Sequence, residues 1–130
     1  MAKKTKRILL VDDSPVVLSY LADAFADEFD VVTAESGEDA VEFLENIEKG
    51  SYYSNVFDLI ITDLNMPGMG GFELADYVRG MNKTKKFTPV IMLTSEKITK
   101  EEARNRGCAA YISKAEKQRV LSMSRILLSR

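Results

Sequence analysis

Five short, mainly apolar runs divide the chain, and an amphipathic segment follows each of them. The runs cover residues 8–11, 31–34, 59–61, 90–93 and 108–112. Runs of this length and composition are typical of strands buried on both faces of a parallel sheet. Because strands alternate with helical segments, right-handed crossovers place helices on both faces of that sheet. The sequence therefore predicts an α/β fold, a doubly wound three-layer sandwich of five βα units.

Residues that favour helix starts follow several of these runs. Ser14 and Pro15 are suited to the N-cap and first turn of a helix, and Ser36 is suited to the N-cap of the next one. Thr99 and Glu102 have the spacing of a capping box. Apolar spacing predicts the remaining two helices over residues 72–81 and 115–128.

The composition excludes several kinds of site. The 130 residues contain no histidine, which removes histidine-based triads and zinc sites. Cys108 is the single cysteine, so an internal disulfide is excluded, and we expect it to be buried as a small apolar side chain. The net charge of -2 gives no general affinity for nucleic acid or for anionic membranes.

The chain is expected to form one domain over residues 1–130, with a flexible basic leader at 1–6, a polar surface insertion at 49–55 and no output domain. The leader lacks the apolar core of a signal peptide, and no apolar run approaches the ~20 residues needed to cross a bilayer. We therefore expect a cytoplasmic location.

Polar side chains that can carry chemistry stand where strands end. Asp12 and Asp13 follow the first strand, Asp63 ends the third, and Thr94 and Lys114 follow the fourth and fifth. Carboxyl ends of parallel strands meet at one edge of the sheet, where open α/β folds bind ligands. In the flavodoxin-like strand order 2-1-3-4-5, the first and third strands are neighbours, so three carboxylates share one crevice.

Three carboxylates at close quarters repel one another. Two unit charges 4 Å apart repel by about 4 kcal/mol at an effective dielectric near 20, so either one acid is protonated or a cation is present. Oxygen ligands with open positions suit Mg²⁺, with Mn²⁺ as its close substitute. The Lys114 ammonium and the Thr94 hydroxyl are suited to hold the oxygens of an anion. Such a site favours Asp63 as a nucleophile toward phosphorus, which gives an aspartyl phosphate.

Four sequence motifs carry a family resemblance. They are Val-Asp-Asp-Ser at 11–14, Asp-Leu-Asn-Met-Pro-Gly-Met at 63–69, Leu-Thr-Ser at 93–95 and Tyr-Ile-Ser-Lys at 111–114. Together the motifs resemble those of a bacterial response-regulator receiver domain of the CheY-like superfamily, and the resemblance extends over residues 7–128.

The resemblance implies a role for each matching residue at the site. Asp63 would accept a phosphoryl group from a phosphohistidine of a sensor histidine kinase or phosphotransfer protein. Asp13 would bind Mg²⁺ directly, Asp12 would bind it through water, and Asn65 would bind it through its backbone carbonyl. Lys114 would pair with a phosphoryl oxygen.

The resemblance also implies how the site would signal. Thr94 would donate its hydroxyl to the phosphoryl group and Tyr111 would change rotamer with it, so that the last-helix surface controls binding of a downstream protein that the sequence does not identify. Asn65 and Glu96 occupy positions that tune autodephosphorylation. Such a domain phosphorylates and dephosphorylates itself without being a turnover enzyme, and it needs neither direct nucleic-acid binding nor a membrane.

Three alternatives stay open at the level of sequence. A phosphohydrolase or phosphotransferase with an aspartate nucleophile would require an acid two residues after that nucleophile, where this chain has Asn65. A flavin or nucleotide binder would want a Gly-rich phosphate loop where Asp12 and Asp13 stand. A pseudo-receiver would bind partners without phosphorylation.

Ala115 follows Lys114 where the family usually has a proline after a cis bond, so either that bond is strained or the loop is rebuilt.

Overall fold

The computed structural model describes residues 6–48, 57–81 and 87–129. Residues 1–5 of the predicted leader and the predicted surface insertion at 49–55 lie outside this description. The elements are β1 (Arg7–Val11), α1 (Pro15–Phe25), β2 (Asp30–Ala34), α2 (Gly37–Glu48), β3 (Leu59–Asp63), α3 (Gly71–Met81), β4 (Val90–Thr94), α4 (Lys100–Asn105), β5 (Ala110–Ser113), a short 3₁₀ helix (Lys114–Glu116) and α5 (Arg119–Leu128).

The five strands form a parallel sheet in the order β2-β1-β3-β4-β5. The predicted flavodoxin-like fold and strand order are therefore confirmed. In the register of this sheet, Val11 pairs with Thr62 and Asp63 pairs with Leu93. Thr94 pairs in turn with Ser113. The residues that end β1, β3, β4 and β5 consequently lie along one edge of the sheet.

Successive residues of β1 point alternately into two separate hydrophobic cores. Ile8 and Leu10 pack with Leu18, Phe25 and other residues of α1 and α5 on one face. Leu9 and Val11 point to the opposite face, where α2, α3 and α4 cover the sheet. Successive side chains of a strand alternate between faces, so a continuous apolar run is what a strand covered on both sides requires. This packing is what holds the polar strand ends at a constant position.

The predicted helix caps are present. Ser14 Oγ accepts a hydrogen bond from the Val17 N–H at 3.3 Å, and Ser36 Oγ accepts one from Asp39 at 3.0 Å. Thr99 and Glu102 form both hydrogen bonds of the capping box. Among the described residues, no helix has the length and apolar content that crossing a membrane requires.

The predicted bounds of the last strand and the last helix are wrong. The Cys108 N–H donates to Ala103 O at 2.9 Å, which completes the end of α4, so β5 begins at Ala110 instead of residue 108. The segment predicted as one helix over 115–128 is a 3₁₀ turn followed by α5. Ser113 is the N-cap of this turn, and its Oγ accepts a hydrogen bond from the Ala115 N–H at 3.1 Å. The peptide bond between Lys114 and Ala115 is trans, as are the others in the described residues.

Burial of Cys108 leads to a first testable prediction. Its side chain is buried, as predicted, and burial raises the pKa of the thiol from 9.0 to about 11, against the opposing effect of the Arg106 and Arg79 guanidinium groups. The folded state therefore favours the thiol, and the resulting stabilisation is lost as pH rises from about 9 through 11. At pH 8 only about one thiol in a thousand is ionised, so alkylation by iodoacetamide should be slow in the native protein and fast in urea. Equal rates in the two conditions would contradict the prediction.

Candidate functional site

Three carboxylates meet at the carboxyl ends of β1 and β3. Asp12, Asp13 and Asp63 each offer an oxygen, and these atoms all lie within 4.8 Å of one another. Asp12 and Asp63 are buried, whereas Asp13 is exposed to solvent. The parallel register of β1 with β3 produces this arrangement, because both strands end at the same level of the sheet. The structure thus brings together the three acids that the sequence singled out.

Lys114 extends from the end of β5 into the same cluster. Its Nζ lies 3.1 Å from Asp12 Oδ2 and 3.1 Å from Asp63 Oδ1. Burial would lower the pKa of Lys114, but its pairing with Asp63 and Asp12 outweighs burial and raises that pKa. The pKa of Asp63 is also raised, first by burial and then by the Asp12 charge, against the opposing effect of Lys114. One ammonium therefore compensates only part of the negative charge.

One carboxylate oxygen of Asp12 lacks a hydrogen bond. Asp12 Oδ1 accepts from the Ser14 N–H at 2.9 Å, whereas Oδ2 is buried and accepts no hydrogen bond from the described residues. The nearby Lys114 ammonium is an ion-pair partner of Oδ2 with poor hydrogen-bonding geometry. A buried carboxylate oxygen without a hydrogen bond, among three carboxylates whose charge one ammonium compensates only in part, fits a hard divalent cation such as Mg²⁺. Asp13, Asp63 and Asp12 are the residues that would hold it.

Asn65 and Glu96 meet near this cluster. Asn65 lies in the loop after Asp63, and its Nδ2 donates a hydrogen bond to Glu96 Oε2 at 2.6 Å. Both side chains are exposed. The sequence pointed to the two positions separately, and the structure joins them by a direct contact between the β3–α3 loop and the β4–α4 loop.

Thr94 is buried at the end of β4, with its hydroxyl turned to the following loop. Thr94 Oγ1 accepts a hydrogen bond from the Glu96 N–H at 2.9 Å and donates to Glu96 O at 3.3 Å. Tyr111, on β5, is half-buried, and it lines a cavity of about 570 Å³ together with Thr94. The two residues predicted to act as a switch therefore share one cavity, although the Thr94 hydroxyl is bonded to backbone.

Comparison with models of known protein families identifies the family of this chain. The model of the response regulator receiver domain matches residues 8–124, which include all of the strand-end residues described above. The chain belongs to the receiver domain family. The family resemblance read from the four motifs is therefore confirmed.

Similar proteins give the receiver assignment further support. The two-component response regulator ORR1 of Oryza sativa subsp. japonica is 36% identical over 115 residues, and the match covers 83% of this chain and 48% of ORR1. The chain thus spans about half the length of that relative. The structure of chemotaxis protein CheY4 from Vibrio cholerae is similar with a TM-score of 0.78, 32% identity and coverage of 96% of this chain and 100% of CheY4.

A third receiver structure was determined with a metal complex. Response regulator protein TrrA of Thermotoga maritima, in complex with Mg²⁺–BeF, is similar to this receiver with a TM-score of 0.74 and 29% identity. The match covers 95% of this chain and 100% of TrrA. An acidic cluster in the present receiver and a magnesium complex in a similar one are consistent with the same cofactor.

A contact from α2 to the β3–α3 loop was not predicted. Glu38 lies in the first turn of α2, and its Oε2 accepts a hydrogen bond from the Met69 N–H at 3.0 Å. Acids are common in first turns because they favour the helix dipole, so the sequence carries no signal that separates Glu38 from Asp39. The contact depends on how α2 packs beside the β3–α3 loop.

Proposed function

We propose that this receiver is a phosphoacceptor switch of a two-component phosphorelay. The Asp63 carboxylate attacks the phosphorus of a phosphohistidine on a sensor histidine kinase or phosphotransfer protein. A P–O bond forms at Asp63 as the P–N bond breaks, and the imidazole leaves with the electron pair. The observation that carries this proposal is the convergence of Asp12, Asp13, Asp63 and Lys114 at one edge of the sheet.

The side chains at the site divide the work of transfer. Mg²⁺, when bound, offsets the charge that develops on the transferring oxygens. Lys114 already bridges Asp12 and Asp63, so its ammonium is placed to pair with an oxygen of the phosphoryl group on Asp63. The buried position of Asp63 keeps its nucleophilic oxygen in a constrained position, and positioning with electrostatic stabilisation supplies most of the catalysis of phosphoryl transfer.

Signalling would follow from competition for the Thr94 hydroxyl. That hydroxyl is bonded to the Glu96 backbone, and a phosphoryl group on Asp63 offers it a charged acceptor, which makes a stronger hydrogen bond. Movement of Thr94 would change the cavity that it shares with Tyr111 and so allow a new Tyr111 rotamer. The changed surface of β5 and α5 would then control binding of a downstream protein.

The donor histidine lies outside these 130 residues in this proposal, because they contain no histidine. The chain acts on its own Asp63 and is not a turnover enzyme, with Asn65 and Glu96 setting the lifetime of the phosphoryl group. The partner kinase and this receiver would meet in the cytoplasm.

Incubation with a small phosphodonor tests the proposed function. With Mg²⁺ and acetyl phosphate, intact mass spectrometry should show the gain of one phosphoryl group, which decays on standing. Asp63→Asn should remove the adduct, whereas Asp23→Asn removes an exposed carboxylate of α1 and should not. Steady turnover of phosphomonoesters would favour a phosphohydrolase, and the absence of any Asp63-dependent adduct would contradict a phosphoacceptor.

A further inference from the structure

The loop that follows Asp63 is tied by a carboxylate on each side. Residues 64–70 connect β3 to α3, and Asn65 bonds Glu96 on the β4 side at 2.6 Å. On the α2 side, the Met69 N–H donates to Glu38 Oε2 at 3.0 Å. The first of these ties joins residues already assigned to the site, whereas the second comes from a helix that has no other assigned role.

The start of α2 and this loop approach each other closely at two glycines. A Cβ on Gly37 would lie 2.7 Å from Met69 O. A Cβ on Gly68 would lie 2.5 Å from Glu38 Oε2, and Gly68 has a φ of +75°, which other residues rarely adopt. Met69 also packs against the core cluster beneath α2 and α3. The start of α2 and the end of the loop are therefore fitted closely to each other.

Other hydrogen bonds hold the two ends of the loop. The Leu64 N–H donates to a backbone oxygen of β4 at 3.0 Å, and the Gly70 N–H donates to Glu73 Oε1 at 2.7 Å. Between these ends, the Met69 N–H supplies the tie to α2. Loss of that tie would release from α2 the loop that carries Asn65 without changing β3.

We propose that Glu38 is a positioning residue, which acts through the Met69 N–H to hold the β3–α3 loop beside Asp63. Glu38 thereby sets the affinity of the site for Mg²⁺ and for a phosphoryl analogue. The inference rests on the proposed function, since it assumes that the Asp63 site binds both. Groups that orient the residues around a metal typically contribute 10–100-fold to its affinity, so the effect is large enough to measure.

Affinities of four proteins test the role of Glu38. We would titrate the wild type, Glu38→Ala, Glu38→Gln and Glu42→Ala with Mg²⁺ alone and then with fluoroberyllate, a tetrahedral phosphoryl analogue. Glu42 is an exposed acid of the same helix and has no hydrogen bond or ion pair within the described part of the chain. Replacing Glu42 therefore removes the same charge as replacing Glu38 but breaks no such contact. Glu38→Ala should weaken Mg²⁺ binding about tenfold. Glu38→Gln keeps an oxygen acceptor and should recover most of that loss, and Glu42→Ala should bind as the wild type does.

Amide hydrogen exchange supplies a second measurement, and its first part uses the wild type alone. The Met69 amide should be protected in the wild type and should exchange faster in Glu38→Ala, while the thermal midpoint stays close to that of the wild type. Rapid exchange of Met69 in the wild type would overturn the proposal. So would unchanged Mg²⁺ affinity in Glu38→Ala, or equal weakening in Glu42→Ala, which would indicate a long-range charge effect.

The wild-type titration distinguishes failure of the proposed role of Glu38 from failure of the proposed phosphoacceptor function. Wild type that binds Mg²⁺ and fluoroberyllate, with Glu38→Ala unaffected, would overturn the role of Glu38 and leave the phosphoacceptor function standing. Wild type that binds neither would overturn the proposed function and the role of Glu38 together.

Discussion

Replacing Lys114 with alanine is expected to destabilise the protein in the absence of divalent ions and to prevent stable phosphorylation of Asp63. The ammonium lies 3.1 Å from a carboxylate oxygen of each of Asp12 and Asp63, and both acids are buried. Removing one partner of a buried pair typically costs 3–5 kcal/mol, because a charge stays buried without compensation. Since the Lys114 side chain is 22% exposed, we expect a smaller cost of about 2–3 kcal/mol.

Urea unfolding in EDTA and in saturating Mg²⁺ measures this effect. A divalent ion bound by the same carboxylates should restore part of the stability of Lys114→Ala, so the gap to the wild type should narrow in Mg²⁺. Lys117→Ala is the matched control, because Lys117 lies over the Tyr20 ring at 5.1 Å and should contribute no more than about 1 kcal/mol. Equal stability of Lys114→Ala and the wild type in EDTA would show that the ammonium does not compensate the acids.

Asp63→Asn should abolish phosphorylation and, unusually for a change at a buried site, raise stability when no divalent ion is present. Burial and the Asp12 charge raise the pKa of Asp63, so the folded state binds the proton of this acid more tightly than the unfolded chain does. Ionised Asp63 therefore lowers stability at any pH well above its unfolded pKa. Asparagine has a similar shape without the charge, and its oxygen can still accept a hydrogen bond from Lys114.

Thermal unfolding of Asp63→Asn with and without Mg²⁺ checks both parts of this prediction. The wild type should gain stability from Mg²⁺, by about 2.7 kcal/mol when the ion is at a hundredfold its Kd, whereas Asp63→Asn should gain much less. Asp23→Asn removes an equal charge from the exposed face of α1 and should change neither the midpoint nor the response to Mg²⁺. A lower midpoint for Asp63→Asn in EDTA would mean that the carboxylate stabilises the fold.

The strand-end residues could be placed from sequence because two simple patterns coincide there. A buried strand reads as a short apolar run, and the first polar residue after it stands at the sheet edge. Asp12 and Thr94 follow this rule, Asp63 stands one residue after the polar Thr62, and the parallel register then brings all three to one level. The alternation of strands and helices predicts a doubly wound sheet, and the order 2-1-3-4-5, which the structure confirms, is that of the flavodoxin-like fold.

Contacts between loops could not be predicted in the same way. The Asn65–Glu96 hydrogen bond and the Glu38–Met69 hydrogen bond each join residues that are 31 positions apart, and exposed acids carry no pattern that names their partners. The 3₁₀ turn that precedes α5 begins with a hydrogen bond from the Ala115 N–H to Ser113 Oγ, which the helical apolar spacing of this segment does not indicate. The orientation of the Thr94 hydroxyl depends likewise on how the β4–α4 loop turns.

Calorimetric titration with Mg²⁺ at neutral pH measures most directly whether the three acids form a cation site. Asp12, Asp13 and Asp63 hold their oxygens within 4.8 Å of one another, and Lys114 compensates only part of their charge. We predict saturable binding of one ion per chain, greatly weakened by Asp13→Asn and unchanged by Asp23→Asn. Wild type that takes up no Mg²⁺ or Mn²⁺, or that binds either ion equally well after Asp13→Asn, would contradict a magnesium-dependent phosphoacceptor site.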